Sequence, residues 1–271
     1  KNKDSRFDGT FTTVLRANWA KSGKNFDYAV VANKMQVKDG EPILKFLWEE
    51  TEGVVYPQGA GANNVGAGEL PGEAAYVINP SGVSRLVYPT IWKLGCYRTD
   101  NNGGMGSPNA GSTRPYPIAK FSEFYFIAAE AAVKGATTVS GKTAKDLINV
   151  IRARAGKWSF KNAENSAYVA DFSEELVAAT PETITIDYIL DERLREYYGE
   201  GQRWFELVRT QTWIERAASF TICGINAGDH TPMTIEREID NHHYLRPIPT
   251  GQIDGMEMSA DEKAKYQNPG Y

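Results

Sequence analysis

The chain has 271 residues, enough to bury a substantial core in one large domain or two small ones. Its 30 basic and 34 acidic side chains leave a formal charge of −4, and no run of Lys and Arg offers a stripe for phosphates, which argues against nucleic acid as a partner. No segment reaches the roughly 18 apolar residues of a bilayer span, and no signal peptide opens the chain at Lys1, so an export signal is expected upstream or already removed.

Up to about Arg114, apolar residues come in short clusters punctuated by Gly, Asn and Pro. Phe11 to Ala17, Tyr28 to Ala32, Ile43 to Trp48 and Tyr76 to Ile78 fit short strands or loop anchors. Gly59 to Gly72 reads as a long surface loop, and Thr99 to Arg114 as another.

Beyond Arg114 the helical period takes over, with Pro115 and Pro117 introducing the first helix. Ile118, Phe121, Phe124, Tyr125, Ala128, Ala129 and Ala132 share one broad face, expected to pack inward, and Gly135 stops the helix. Thr143 and Asp146 form a capping box for a second helix whose apolar face is Ala144, Leu147, Ile148 and Ile151, with Gly156 at its end. The pair fits both a plain helical hairpin and a divergent tetratricopeptide unit.

A short helix is expected near Ser173 to Ala179. A longer one from Thr185 carries the stripe Ile186, Leu190, Leu194 and Tyr197, and Gly199 and Gly201 interrupt it. A further short helix spans Gln202 to Thr210. The tail reads as extended, because Pro247 and Pro249 forbid a regular helix through Leu245 to Thr250, and Asn268, Pro269 and Gly270 make a turn before Tyr271. The resulting fold class is mainly α, with long irregular loops and little sheet.

Three ordered strings in the second half resemble the SusD/RagB family. They are KFSEFYFIAAEA from Lys120, answered by LINVIRARAG from Leu147; ILDERLREYYGEGQRWFELVRT from Ile189; and LRPIP from Leu245, closed by QNPGY at Tyr271. The resemblance is strong over about the last 150 residues and thinner before them, where DSRFDGTF from Asp4 carries it. Complete members are longer, begin with a lipidated cysteine and carry tetratricopeptide-type helices in their N-terminal half. The chain therefore reads as the C-terminal part, with a loop-rich portion 1–114, a helical family core 115–271 and the N-terminal half absent. The resemblance implies an outer-membrane lipoprotein of Bacteroidetes without a catalytic centre. Its partners would be oligosaccharides or other nutrients and a SusC-like TonB-dependent transporter, with the membrane reached only through the lipid anchor. Alternatives are a scaffold that mainly docks the transporter, or a glycoside hydrolase.

The charged string Asp191 to Glu206 reads structurally. Asp191 and Arg195, Glu192 and Arg195, Arg193 and Glu196, Glu200 and Arg203, and Glu206 and Arg209 sit three or four apart, where such pairs meet on a helix surface. Glu196 and Glu200 have suitable spacing for a hydrolase, but a glycosidase acid needs a raised pKa and neighbouring arginines lower it. Of His230, His242 and His243, the adjacent two would point apart on a helix or strand, and no metal motif is present. The run Asp100 to Gly104 resembles part of a calcium loop without its later Glu and fits a Gly/Asn turn better. No cofactor is expected, with a structural calcium ion as the alternative that the family leaves open. Cys96 and Cys223 fit two buried thiols, with a disulfide as the alternative.

Sugar recognition uses flat rings against the C–H faces of pyranoses and planar polar groups for the hydroxyls, on loops held by a scaffold. Candidate ligand-binding residues are therefore Trp19, Trp48, Tyr56, Asn63 and Asn64, beside polar or Gly-rich loops. Of these, Trp48 fits core packing better than a site, because Ile43, Leu44, Phe46 and Leu47 precede it. Trp92, Trp158, Trp204 and Trp213 fit packing.

Overall fold

A computed structural model describes residues 3–16, 28–30, 36–38, 41–55, 67–70, 72–74, 76–83, 87–91, 93, 116–138, 140–158, 170–223 and 231–271. Two compact units emerge: residues 1–200 with 223–231, and residues 201–222 with 232–271. Helices dominate the described residues, and the sheets are small, with strands of two to five residues. Trp19, Tyr56, Asn63, Asn64, Trp92, Cys96, His230 and the Asp100 to Gly104 run lie outside the described residues, as does the side chain of Cys223.

The first unit opens with α1 (Ser5–Thr10), whose N-cap Asp4 accepts from Arg6 N at 3.0 Å. Short strands follow. They are β1 (Phe11–Thr12), β2 (Val14–Arg16), β3 (Tyr28–Val30), β4 (Gln36–Lys38), β5 (Pro42–Phe46), β6 (Ala67–Gly68), β7 (Tyr76–Ile78) and β8 (Thr90–Ile91). Those at Phe11, Val14, Tyr28, Pro42 and Tyr76 fall in segments expected as strands or loop anchors, and those at Gln36, Ala67 and Thr90 were not expected. A four-stranded sheet runs β2-β5-β7-β6, with β5 and β7 parallel, while β1 pairs with β8 and β3 with β4. The expected loop from Gly59 thus ends in a strand, because β6 is held to β7 by ladder hydrogen bonds. Phe46 and Ile78 form the apolar centre of this sheet, with Leu44, Tyr76, Val83 and Val87 packed around them.

Helices α2 (Ser122–Val133) and α3 (Ala144–Ala155) form an antiparallel pair joined through Gly135 at φ 95°. The Thr143 capping box is present: Thr143 N donates to Asp146 Oδ2 at 2.8 Å, and Asp146 N to Thr143 Oγ1 at 3.1 Å. After α3 come β9 (Lys157–Trp158), β10 (Ala170–Asp171), α4 (Ser173–Ala178) and α5 (Ile186–Tyr197). Gly156 has ordinary helical φ. Its role is space, because a Cβ there would lie 2.6 Å from the backbone at Phe172 and Ser173. Phe126, Ala129, Ile148, Ile151, Ile184, Ile189 and Tyr197 make the core of α2, α3 and α5.

The inward face of α2 differs from the sequence expectation. Phe126, Ala129 and Glu130 are buried, whereas Ile118, Phe121 and Phe124 lie outside, with Phe121 73% and Phe124 65% exposed. Ser122 to Val133 is apolar around most of its circumference, so periodicity could not choose the face that α3 and α5 cover.

The second unit contains α6 (Arg203–Arg209), α7 (Trp213–Ala217), the hairpin of β11 (Ser219–Cys223) and β12 (Pro232–Glu236), then α8 (Thr250–Asp254) and α9 (Ala260–Tyr266). The tail beyond Thr250 is therefore helical in part, not extended. The two prolines exclude helix only up to Pro249, and Ser259 starts α9 with its own capping box. Gln267 clasps Ile248 through N–H···Oε1 at 2.8 Å and Nε2–H···O at 3.0 Å. Asn268 Nδ2 donates to Arg246 O at 2.6 Å, and Tyr271 OH to Leu245 O at 3.0 Å. LRPIP and QNPGY are thus hydrogen-bond partners, which is what their residue types accomplish. His242 and His243 sit in a short 3-10 turn, Asn241–Tyr244, and their rings lie together, contrary to the divergence of a regular helix or strand.

Candidate functional site

A groove in the first unit lies between α1 and α5. Asp4 caps α1 and grips the Arg6 guanidinium at 2.6 and 2.9 Å. Arg6 continues to Glu192 Oε1 at 2.5 Å and Glu196 Oε2 at 3.4 Å on α5. Burial disfavours these charges, but the partners outweigh it. The Arg6 guanidinium is held firmly protonated by Asp4 and Glu192, and the Asp4 carboxyl is drawn below its ordinary range by Arg6.

Fixing α1 in this way sets two rings one turn apart. Phe7 and Phe11 stand 5.1 Å apart at their centroids; Trp48 extends the row beyond Phe7 at 5.3 Å, and Tyr198 beyond Phe11 at 5.1 Å. Trp48 is 46% exposed and Tyr198 37% exposed, so the row is open to solvent at both ends. A cavity of about 330 Å³ opens along it, lined by Phe7, Thr10, Phe11, Leu194 and Tyr198 with Asp4, Arg6 and Arg195 at its polar edge. Rings for apolar ring faces and a guanidinium–carboxylate edge for hydroxyls are the chemistry of a polar, ring-shaped ligand.

Of the sequence candidates, Trp48 is the one within the described residues, and it lies at the surface in this row. Trp19, Tyr56, Asn63 and Asn64 fall outside them. Phe7, Phe11, Tyr198, Asp4, Arg6 and Arg195 were not singled out as ligand residues. The available signal was the Phe7-to-Phe11 spacing beside Asp4 and Arg6, and the Tyr197-Tyr198 pair, whose first ring is buried and second exposed. Trp158 is core as expected, its Nε1 donating to Lys3 O at 3.1 Å.

The charged string of α5 is not a row of surface pairs. Glu192 is fully buried and receives Arg6, Arg152 at 2.9 Å and Arg195 at 3.0 Å. Glu196 receives Arg154 at 2.5 Å as well as Arg6. Arg193 Nη2 donates to both Glu123 oxygens at 2.9 Å. Glu200 accepts from Lys93 and Lys120. Burial raises the Glu200 carboxyl, and the two ammonium groups more than reverse this, leaving it below its ordinary value. That is opposite to the shift of a general acid. Glu192 to Arg195 is the one anticipated i,i+3 pair of this group that sits beside the groove.

A second hollow of about 440 Å³ lies against Phe121, Tyr125, Val150 and Ile151, with Lys120 and Arg154 at its rim. Among the described residues, Asp240, His242 and His243 are the group whose donor atoms converge as a metal would require. No helix among them is long and apolar enough to cross a membrane.

Helices and an open aromatic groove together describe a mainly α protein. The chain belongs to the SusD family: the family model matches residues 1–271, extending the resemblance over the whole chain. Proteins of this family are outer-membrane lipoproteins that bind glycans, work with SusC-like transporters and are generally non-catalytic. Among curated proteins, no match is found.

Proposed function

We propose that this protein captures glycans or other nutrients at the outer-membrane surface and passes them to a SusC-like TonB-dependent transporter, without catalysis. The carrying observation is the solvent-open row Trp48, Phe7, Phe11 and Tyr198 beside Asp4, Arg6 and Arg195. Family membership supplies the class of ligand and partner. The carboxylates support the non-catalytic reading, because Glu192, Glu196 and Glu200 are each engaged by two or more cations. The anchor is a lipid on an N-terminal cysteine, as in the family.

On the same reading, α2 and α3 are one hairpin of a tetratricopeptide-related stack. What supports this is that α2 is apolar on faces that α3 and α5 leave uncovered, as a helix in the middle of such a stack would be. The test is twofold. Soluble oligosaccharides are titrated against the protein, and tagged protein is used to recover partners from outer-membrane extract. Saturable binding and recovery of a β-barrel transporter are expected. Binding to no member of a broad nutrient panel overturns the ligand reading, and failure to recover a barrel overturns the transporter reading.

A further inference from the structure

Asp240 begins the 3-10 turn Asn241–Tyr244 in the second unit. Its carboxylate accepts from His242 N at 2.9 Å, and its own N–H donates to His243 Nδ1 at 3.0 Å. On a regular helix or strand, neighbouring side chains diverge. This turn does the reverse. The His242 and His243 rings lie 3.8 Å apart at their centroids, tilted by 35°. His242 Nδ1 contacts Asp240 Oδ1, and His243 Nδ1 stands 3.5 Å from the same oxygen. One donor atom from each of the three residues falls within 4.8 Å of the others.

The rings are also fixed from outside. Tyr271 meets His242 edge-on at 5.0 Å, and Gly270 approaches so closely that a Cβ there would lie 2.6 Å from His242 Cβ. Trp213 meets His243 edge-on at 6.3 Å. Neither ring needs a large reorientation to share a ligand, which reduces the ordering cost of binding one.

We propose that Asp240, His242 and His243 bind a divalent transition-metal ion of the zinc class through two imidazole nitrogens and one carboxylate oxygen. Such ions take these donors at about 2.0–2.2 Å, which sets neighbouring donors of a tetrahedral shell roughly 3.4 Å apart. The His243 Nδ1 to Asp240 Oδ1 separation already has that value. Imidazole donors select this class over calcium or magnesium, which require oxygen. The ion takes the place of the capping bond from Asp240 N to His243 Nδ1, and of the direct contact between His242 Nδ1 and Asp240 Oδ1. Solvent supplies the remaining positions, because all three residues reach the surface.

The test uses chelator-stripped protein titrated with zinc chloride by calorimetry. One saturable equivalent is expected, with affinity falling at least tenfold in both His243→Ala and Asp240→Asn. Since either substitution also removes a cap, a second measurement uses the unmodified chain: zinc should protect His242 and His243 from carbethoxylation by diethyl pyrocarbonate, read by peptide mass. Absence of saturable binding, retention of full affinity in both variants, or protection confined to His230 overturns the proposal.

Discussion

Glu192 of α5 is fully buried, and Arg152 of α3 donates to its Oε2 at 2.9 Å while clasping Leu176 O of α4 with Nε and Nη2 at 3.0 and 2.9 Å. One side chain therefore ties three helices, and its charge is met by a carboxylate that also serves Arg6 and Arg195. Removing Glu192 takes the carboxylate partner from the largely buried Arg152 and one of three from the largely buried Arg6, while Arg195 is half exposed. Glu192→Ala is expected to destabilise the first unit by about 3–5 kcal/mol in urea unfolding. Glu182→Ala, which removes the exposed pair with Lys145, should cost less than about 1 kcal/mol. Equal effects would mean that the buried network is not what joins the helices.

Asp8 is buried, and desolvation pushes its carboxyl up to about 6 against the opposing hydrogen bond from Thr13. An unfolded chain gives up that proton near the ordinary value of about 3.9. Between these values the folded state holds more protons, so this group's contribution to stability falls as pH rises from about 4 to 6. Asp8→Asn should therefore be more stable than the parent at pH 7, with the difference fading towards pH 4. Thermal melts across that window decide it; a lower melting temperature at pH 7 would contradict the assignment.

Gly156 faces backbone at 2.6 Å from where a Cβ would stand. Gly156→Ala should push the Phe172–Ser173 segment away and cost about 1–3 kcal/mol, as overpacking does. A neutral effect in equilibrium unfolding would show that the α3–α4 connection yields freely.

On α2, the two sides of the helix should respond differently. Phe126→Ala opens a void in the core and is expected to cost about 3–5 kcal/mol. Phe124→Ser, on the uncovered side, should change stability by about 0.5 kcal/mol or less while lowering the binding of a hydrophobic dye. Comparable destabilisation by both would place Phe124 in a packed environment.

Much of the helical half was legible because its signals are local. Thr143 with Asp146, Thr185, Gly135 and the turn at Asn268 act within a few residues, and each stands where expected. The strands at Phe11, Tyr28, Ile43 and Tyr76 were legible for the same reason. The uncovered side of α2 was not, because an all-round apolar helix carries no directional pattern. Nor was the fate of the α5 charges: spacing shows pairs three and four apart, whereas Arg6 and Arg152 reach Glu192 across 186 and 40 residues. The aromatic row was hidden similarly, since Phe7, Trp48 and Tyr198 meet through the fold. Of this row, Trp48 alone is a sequence candidate, from the polar residues that follow it; the apolar run before it favours the core, and the structure instead leaves it 46% exposed.

Calorimetric titration of the parent, Trp48→Ala and Tyr198→Ala with a panel of soluble oligosaccharides tests the central claim most directly. Both rings are partly exposed, so their loss should leave the fold intact, as circular dichroism would verify. At least one glycan should bind the parent, with Kd rising about tenfold in each variant, or about 1.4 kcal/mol, the scale of one ring contact. A glycan bound equally by all three proteins would place the site elsewhere, and no binding by the parent would contradict glycan capture by these residues.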